Sequence, residues 1–242
     1  MTPEAPGTED ATMSLLDHLE ELRGRIIVIA ISVALAGIVG FVLSELILEL
    51  LQEPLPDEQY RLIQLTIGES LAVRLKIALY VGIALSVPVI LYQVWRFVTP
   101  GLTTRERRLI WPMLISGILL FALGVGLGYF VIPYALQFLL SLTPPNVDSS
   151  MLRLSDYVSF VLAIMLAFGL AFQFPVLLLL GARVGILNYR FLSARRRWAI
   201  LIIVLFAIIA TPGGDPTSSA VLSLVMYVLF EGTLQLIRKL RP

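Results

Sequence analysis

LIWPMLISGILLFALGVGLGYFVI, Leu109–Ile132, runs for 24 residues without one charged side chain. A helix rises about 1.5 Å per residue, and crossing the hydrocarbon core of a bilayer takes roughly 20 mostly apolar residues. The stretch therefore reads as a membrane-spanning helix, and it decides the solvent in which the rest of the chain is interpreted. Gly124 and Gly128 lie four residues apart within it, the spacing of small residues that lets membrane helices approach closely.

Outward from this segment, Ile26–Leu43 is uncharged for 18 residues, Ile77–Trp95 for 19 and Tyr157–Ala182 for 26. Pro88 and Pro175 sit within two of these stretches and are expected to kink their helices. Ala163, Ala167 and Ala171 repeat small residues every four. Trp198–Ala210 is apolar for only 13 residues, about 20 Å as a helix. The stretch from about Thr217 to Ile237 is interrupted by Glu231. Between these two lies Thr211-Pro-Gly-Gly-Asp-Pro216, a turn by every local rule.

The reading is an all-α polytopic membrane protein with six transmembrane helices, the last two short and antiparallel. Its spans are about 26–44, 76–95, 109–132, 156–181, 197–210 and 217–237. A re-entrant hairpin followed by a last helix is the alternative for the C-terminal part. Residues 1–13 read as a flexible tail and 14–242 as a single transmembrane domain. Glu45, Glu49 and Glu53 recur every four residues, marking an interfacial amphipathic helix that starts at Ser44 and is ended by Pro54.

Composition agrees. Of 242 residues, 58% are hydrophobic and only 14% charged, where a soluble domain is nearer a quarter charged. A net charge of +1 argues against a nucleic-acid protein. With no cysteine and only His18, a Cys-ligated metal, a thiolate nucleophile or a His-based triad has no residues to draw on. There is no Walker or Rossmann motif for a nucleotide, so no cofactor is expected. Glu4, Glu9 and Asp10 make the start acidic, and no apolar run begins before Ile26; a cleavable signal peptide is not expected.

Orientation follows from the basic residues. The N-terminus, residues 96–108, residues 183–197 and the C-terminus hold 2, 4, 5 and 3 Lys or Arg, which is 14 of the 18. The opposite side keeps Arg61, Arg74, Lys76 and Arg153. Both termini are therefore expected in the cytoplasm. Trp95, Trp111 and Trp198 fall at the cytoplasmic borders, where interfacial aromatics belong.

Carboxylates are scarce on that basic inner surface, so those present are candidates for holding a cationic ligand. A guanidinium pairs with a carboxylate in a two-pronged fork. Glu106 lies in Arg105-Glu-Arg-Arg108, and Glu21 in His18-Leu-Glu-Glu-Leu-Arg23. Each has a plainer reading. Glu106 could pair with its own neighbours. Asp17, Glu20 and Glu21 could form the solvated face of a short helix opened by a Ser14–Asp17 capping box before the first span. His18 reads as a packing or interfacial residue. Gln173, near the middle of the fourth span, either makes an interhelix hydrogen bond or lines a polar groove. Glu231 is expected to snorkel or to pair with Arg238 or Lys239.

Taken in order, these segments resemble the twin-arginine translocase TatC family over nearly the whole chain. The resemblance rests on His18-Leu-Glu-Glu-Leu-Arg23, Pro88-Val-Ile-Leu-Tyr-Gln-Val-Trp95, Phe97-Val-Thr-Pro-Gly-Leu102 and Arg105-Glu-Arg-Arg108. Ala167-Phe-Gly-Leu-Ala-Phe172 and Thr211-Pro-Gly-Gly-Asp215 follow at matching positions. It implies a glove-like concave bundle in the cytoplasmic (inner) membrane that receives the twin-arginine signal peptides of folded export precursors. Glu21 and Glu106 would contact the paired arginines, with Leu22, Arg23, Leu102 and Arg107 in support. Gln173 would line the membrane groove, standing where many members of the family carry glutamate. Thr211 would contact single-span partners of the TatA/TatB type within an oligomeric complex driven by the proton motive force. A short helical pair could also thin the bilayer around it. The rival readings are a small secondary transporter, which wants ionisable residues at the bilayer midplane, and an intramembrane enzyme, which wants paired acids or a nucleophile.

Overall fold

In the computed structural model the described residues are 15–55, 60–98, 110–144, 146, 151–183 and 185–240. They form nine α-helices and two short strands. The helices are α1 (Leu15–Val42), α2 (Ser44–Gln52), α3 (Glu69–Val98), α4 (Ile110–Ser141), α5 (Leu154–Ala171), α6 (Phe174–Arg183), α7 (Tyr189–Ala194), α8 (Arg196–Ala210) and α9 (Pro216–Leu240). Strands β1 (Arg61–Ile63) and β2 (Met151–Arg153) pair in parallel. Within the described residues, five helical segments are long and apolar enough to cross a membrane: Leu19–Val42, Glu69–Phe97, Trp111–Ser141, Leu154–Arg183 and Pro216–Lys239.

The expectations hold at several points and fail at others. The amphipathic helix expected from Ser44 is α2, which stops at Gln52 just before Pro54. No separate capped helix precedes the first span, because α1 runs unbroken through Glu21 into the apolar stretch. Ser14, the expected cap, lies outside the described residues. Pro88 is accommodated inside the continuous α3. Around Pro175 the fourth apolar stretch does break, α5 ending at Ala171 and α6 beginning at Phe174. A proline cannot donate to the helix ladder, so the preceding turn has to be rebuilt.

Two features correct the expected architecture. The chain is not purely helical, since β1 and β2 tie the connection before α3 to the connection before α5. Nor is the last helix short. α8 has 15 residues, whereas α9 has 25, about 37 Å at the usual rise. Glu231 does not interrupt α9 because its charge is matched by a neighbouring helix rather than left to the lipid.

α1 lies on the outside and packs mainly against α3. A Cβ added at Gly82 of α3 would lie 2.7 Å from the Val33 carbonyl oxygen of α1, so the backbones touch there. Ser32 and Ser86 join their hydroxyls across the same seam at 3.1 Å. The α4–α5 seam is built likewise: a Cβ at Gly124 would stand 2.6 Å from the Phe168 carbonyl oxygen, which is the close approach that the Gly124/Gly128 spacing leads one to expect. α9 turns Leu222, Met226, Phe230 and Leu234 into the main core at four-residue intervals, and Phe230 stacks on Phe174 of α6 with ring centroids 6.4 Å apart.

A second, smaller core gathers Val87, Leu91 and Trp95 of α3, Leu114 and Phe121 of α4, and Val176 and Leu180 of α6. Trp95 is 2% exposed and so is a core residue rather than an interfacial one. Trp111 and Trp198 are exposed, as border aromatics should be. On the side of the bundle that carries the strands, Glu69 is the hub. Its carboxylate accepts the Ser155 and Leu65 backbone N–H groups at 2.9 and 3.0 Å and the Arg153 Nε at 3.2 Å. Below it Lys76 places its ammonium 2.7 Å from both Ser155 Oγ and Ser159 Oγ, joining α3 to α5.

Candidate functional site

The first turns of α1 carry Glu21, Leu22 and Arg23, and the facing element is the C-terminal end of α3. Leu22 and Arg23 are exposed, while Glu21 is partly covered. Glu21 Oε1 accepts from Arg25 Nη2, one helical turn on. Arg25 also reaches across to α3. Its Nη1 approaches the Gln93 carbonyl oxygen at 3.4 Å and Gln93 Oε1 at 3.3 Å, and its Nη2 donates to the Arg96 carbonyl oxygen at 3.2 Å. The last four carbonyls of a helix have no partner in the helix and carry its negative dipole end. Arg96 contributes one of these, so a guanidinium is well matched to the position.

Arg25 is the residue that reading the sequence missed. It follows the His18–Arg23 motif by two positions, and its spacing of four from Glu21 was the available signal. The reach to α3 depends on tertiary packing and has no sequence signature. Glu106, Leu102 and Arg107 lie outside the described residues. The chain that leads to them leaves α3 at Val98, directly beyond the end that Arg25 holds.

Gln173 sits in the break between α5 and α6 and is 8% exposed. Its amide Nε2 donates to the Gly117 carbonyl oxygen of α4 at 2.9 Å, while its Oε1 is buried without a hydrogen-bond partner. Gly117 makes this possible: a Cβ there would fall 2.8 Å from Leu91 Cδ1 and 3.3 Å from Gln173 Oε1. The interhelix hydrogen bond is thus present, and a second polar valence remains open beside the smaller core.

Thr211 is 3% exposed. Its hydroxyl lies 3.0 Å from the Ala207 carbonyl oxygen and 2.6 Å from Ser219 Oγ. Gly213 and Gly214 then adopt φ of 77° and 64°, a region that favours glycine. Asp215, 1% exposed, accepts the Ser218 N–H at 2.7 Å through Oδ1 and so caps α9, with Pro216 in the first helical position where a missing N–H costs nothing. Thr211, Gly213, Gly214, Asp215 and Pro216 therefore each have a structural task in turning α8 into α9. At the other end of that pair Glu231 meets Arg196 of α8 at 3.2 Å. The expected partners Arg238 and Lys239 lie two turns away on Glu231's own helix, and Arg238 instead stands over the Tyr189 ring.

The class these features define is a multi-pass helical membrane protein with a polar, arginine-organised end between its first two long helices. A family model, Sec-independent protein translocase protein (TatC), matches residues 17–224. The chain is 33% identical to the TatC protein of Carboxydothermus hydrogenoformans, covering 97% of this chain and 96% of that one. It is 35% identical to the TatC of Aquifex aeolicus over 90% and 92%, and 36% identical to the chloroplastic protein of Arabidopsis thaliana over 93% and 66%. A crystal structure of the twin-arginine translocase receptor TatC superposes with a TM-score of 0.78 at 34% identity, covering 91% of this chain and 98% of that one. The chain belongs to the TatC family and is a component of twin-arginine translocation.

Proposed function

We propose that the chain is the receptor subunit of the translocase and binds twin-arginine signal peptides at the end of the bundle where α1 begins and α3 ends. Glu21 and Glu106 supply the carboxylates that a pair of guanidinium groups needs, and Leu22, Arg23, Leu102 and Arg107 border them. The observation that carries the reading is that Glu21, in the first turns of α1, already binds a guanidinium, that of Arg25. That contact is the interaction an arriving arginine would make.

In this reading α8 is a sixth, short span, both termini are cytoplasmic, and residues 14–242 act as one domain in the inner membrane. The excess of basic residues at the ends and in 96–108 and 183–197 supports the orientation. The apolar part of the signal peptide would enter a concave face beside Gln173. Single-span partners of the TatA/TatB type would dock at α8, where Leu201, Ile202, Leu205 and Ile209 are exposed. Thr211 would set the shape of that surface from within. The subunit would act without catalysis, in an oligomeric complex drawing on the proton motive force.

The test is binding of a twin-arginine peptide and of its twin-lysine counterpart to the purified protein at fixed salt. Preference for arginine in the wild type, lost in Glu21→Ala and Glu106→Ala, is the expected result. Equal binding of both peptides, or a preference that survives both substitutions, overturns the assignment.

A further inference from the structure

The short helix α7, between α6 and α8, has two unlike faces. Asn188 caps it by accepting the Phe191 N–H at 2.7 Å. Tyr189 and Leu192 pack against the main core, whereas Arg190, Phe191 and Ala194 are exposed. At about 100° per residue around a helix, Arg190, Ala194 and Phe191 follow one another across a single outward arc, with the smallest side chain in the middle. Arg195, which closes the helix, folds back so that its Cζ stands 3.9 Å over the centre of the Phe191 ring. From another side Arg238, in the last turn of α9, sets its Cζ 5.6 Å over the Tyr189 ring. Three guanidinium groups therefore surround one helix of six residues.

Stacking on a ring uses the face of a guanidinium and leaves its edge, where all the N–H donors point, unspent. No hydrogen bond to a described residue takes up those donors in Arg190, Arg195 or Arg238. No described ion pair does so either: the nearby carboxylate of Glu231 goes to Arg196, and from Arg183 to Gly214 the chain has no Asp or Glu. Where this region is not basic it is apolar. Ile186, Phe191 and Trp198 are exposed, and Ile200 and Leu201 continue that surface along α8. Guanidinium forks beside an exposed indole and exposed isoleucines belong at the level where lipid headgroups meet acyl chains.

We propose that α7 is a headgroup site for an acidic phospholipid, the phosphate seated over Ala194 between Arg190 and Arg195, with Arg238 adding its charge from α9. Phosphate oxygens match the in-plane donors of a guanidinium two at a time. A zwitterionic headgroup brings an ammonium as well, and no described carboxylate is left at α7 to receive it, so the site selects net negative charge. The lipid has a mechanical consequence for α8. That helix has 15 residues, about 22 Å at the usual rise, against a hydrocarbon core of about 30 Å. A headgroup held at its first turn fixes the level at which this short helix enters the bilayer, so the mismatch falls at the other end. The site stands apart from the receptor reading and uses none of its residues.

The experiment is native mass spectrometry of the purified full chain in detergent containing equal amounts of phosphatidylglycerol and phosphatidylethanolamine. The wild type should retain phosphatidylglycerol in preference by about tenfold. Arg190→Gln/Arg195→Gln should bring the ratio close to one. Phe191→Leu keeps every charge and removes the ring beneath Arg195, and it should lower the ratio by about threefold. Arg197→Gln/Lys239→Gln removes two exposed charges from the same end of the bundle and should leave the ratio unchanged. No preference in the wild type overturns the proposal. An equal drop in the Arg197/Lys239 pair does so too, because it would mean a diffuse field rather than a site. Excess glycerol phosphate, the soluble headgroup alone, should not displace the lipid. Full displacement would assign the donors to a soluble anion and overturn the membrane assignment.

Discussion

Arg196 and Glu231 meet at 3.2 Å across α8 and α9, at the end of the helix pair opposite the buried Thr211–Ser219 contact. Two hydrogen-bonded clasps thus bracket the pair, one charged and one neutral, with apolar packing between. Glu231 is the more enclosed partner, its side chain 25% exposed against 43% for Arg196. Glu231→Gln should lower stability by about 1–2 kcal/mol, between the small worth of a surface pair and the larger cost of opening a buried one. Thermal unfolding of the detergent-solubilised protein would show it. The Arg196→Gln/Glu231→Gln double variant should lose less than the two single changes added together.

Lys76 provides a sharper case of non-additivity. Its ammonium is held by Ser155 and Ser159 at 2.7 Å each, with no carboxylate in ion-pair range among the described residues. Replacing both serines by alanine should cost about 1–2 kcal/mol, because the half-buried ammonium is left with only the Ser155 carbonyl oxygen, at 3.4 Å. Lys76→Met in that double-alanine background should recover most of the loss. A Lys76→Met variant no more stable there than Lys76 itself would show that the ammonium is hydrated from outside.

Gly124 and Gly126 lie on the same helix and separate packing from propensity. A Cβ at Gly124 would reach 2.6 Å from the Phe168 carbonyl oxygen, whereas one at Gly126 meets nothing within 4 Å. Gly124→Ala should destabilise by about 1–3 kcal/mol through forced separation of α4 and α5. Gly126→Ala should be neutral or slightly stabilising, since alanine is the better helix former. The same unfolding assay ranks them.

Asp215 caps α9 through one oxygen, so its shape matters more than its charge. Asp215→Asn keeps an acceptor for the Ser218 N–H and should stay within about 0.5 kcal/mol of wild type, while Asp215→Ala should lose about 1–2 kcal/mol. Amide hydrogen exchange at Ser218 would report the loss directly, as faster exchange confined to the first turn of α9.

Much of this arrangement is legible in the sequence because lipid imposes simple arithmetic. Uncharged runs of 18 to 26 residues can hardly be anything but spans, and the Gly124/Gly128 spacing announces a close helix neighbour. What stays hidden is whatever depends on residues far apart in the chain. Arg61–Ile63 and Met151–Arg153 are three-residue strands separated by some ninety positions, too short for an alternating pattern. The length of α9 is concealed by Glu231, which looks like a break until Arg196 is seen beside it. The task of Thr211-Pro-Gly-Gly-Asp215 was visible as a turn, but its internal hydrogen bonding was not. The motif singles out Glu21, and the fold adds the contact that it makes with Arg25. Arg25 needed the fold, because three of its four acceptors lie on α3, some seventy positions on, and two of the four are backbone oxygens that any residue type could have supplied.

The position of α1 on the outside of the bundle has a consequence for biogenesis. α1 leans mainly on α3, and none of its described side chains belongs to the main core. As the chain leaves the ribosome, α1 and α3 can zip together through Gly40, Gly82 and the Ser32–Ser86 contact before α4 to α9 have been synthesised. The Arg25 clasp would then close on a nascent hairpin while most of the protein is still unmade.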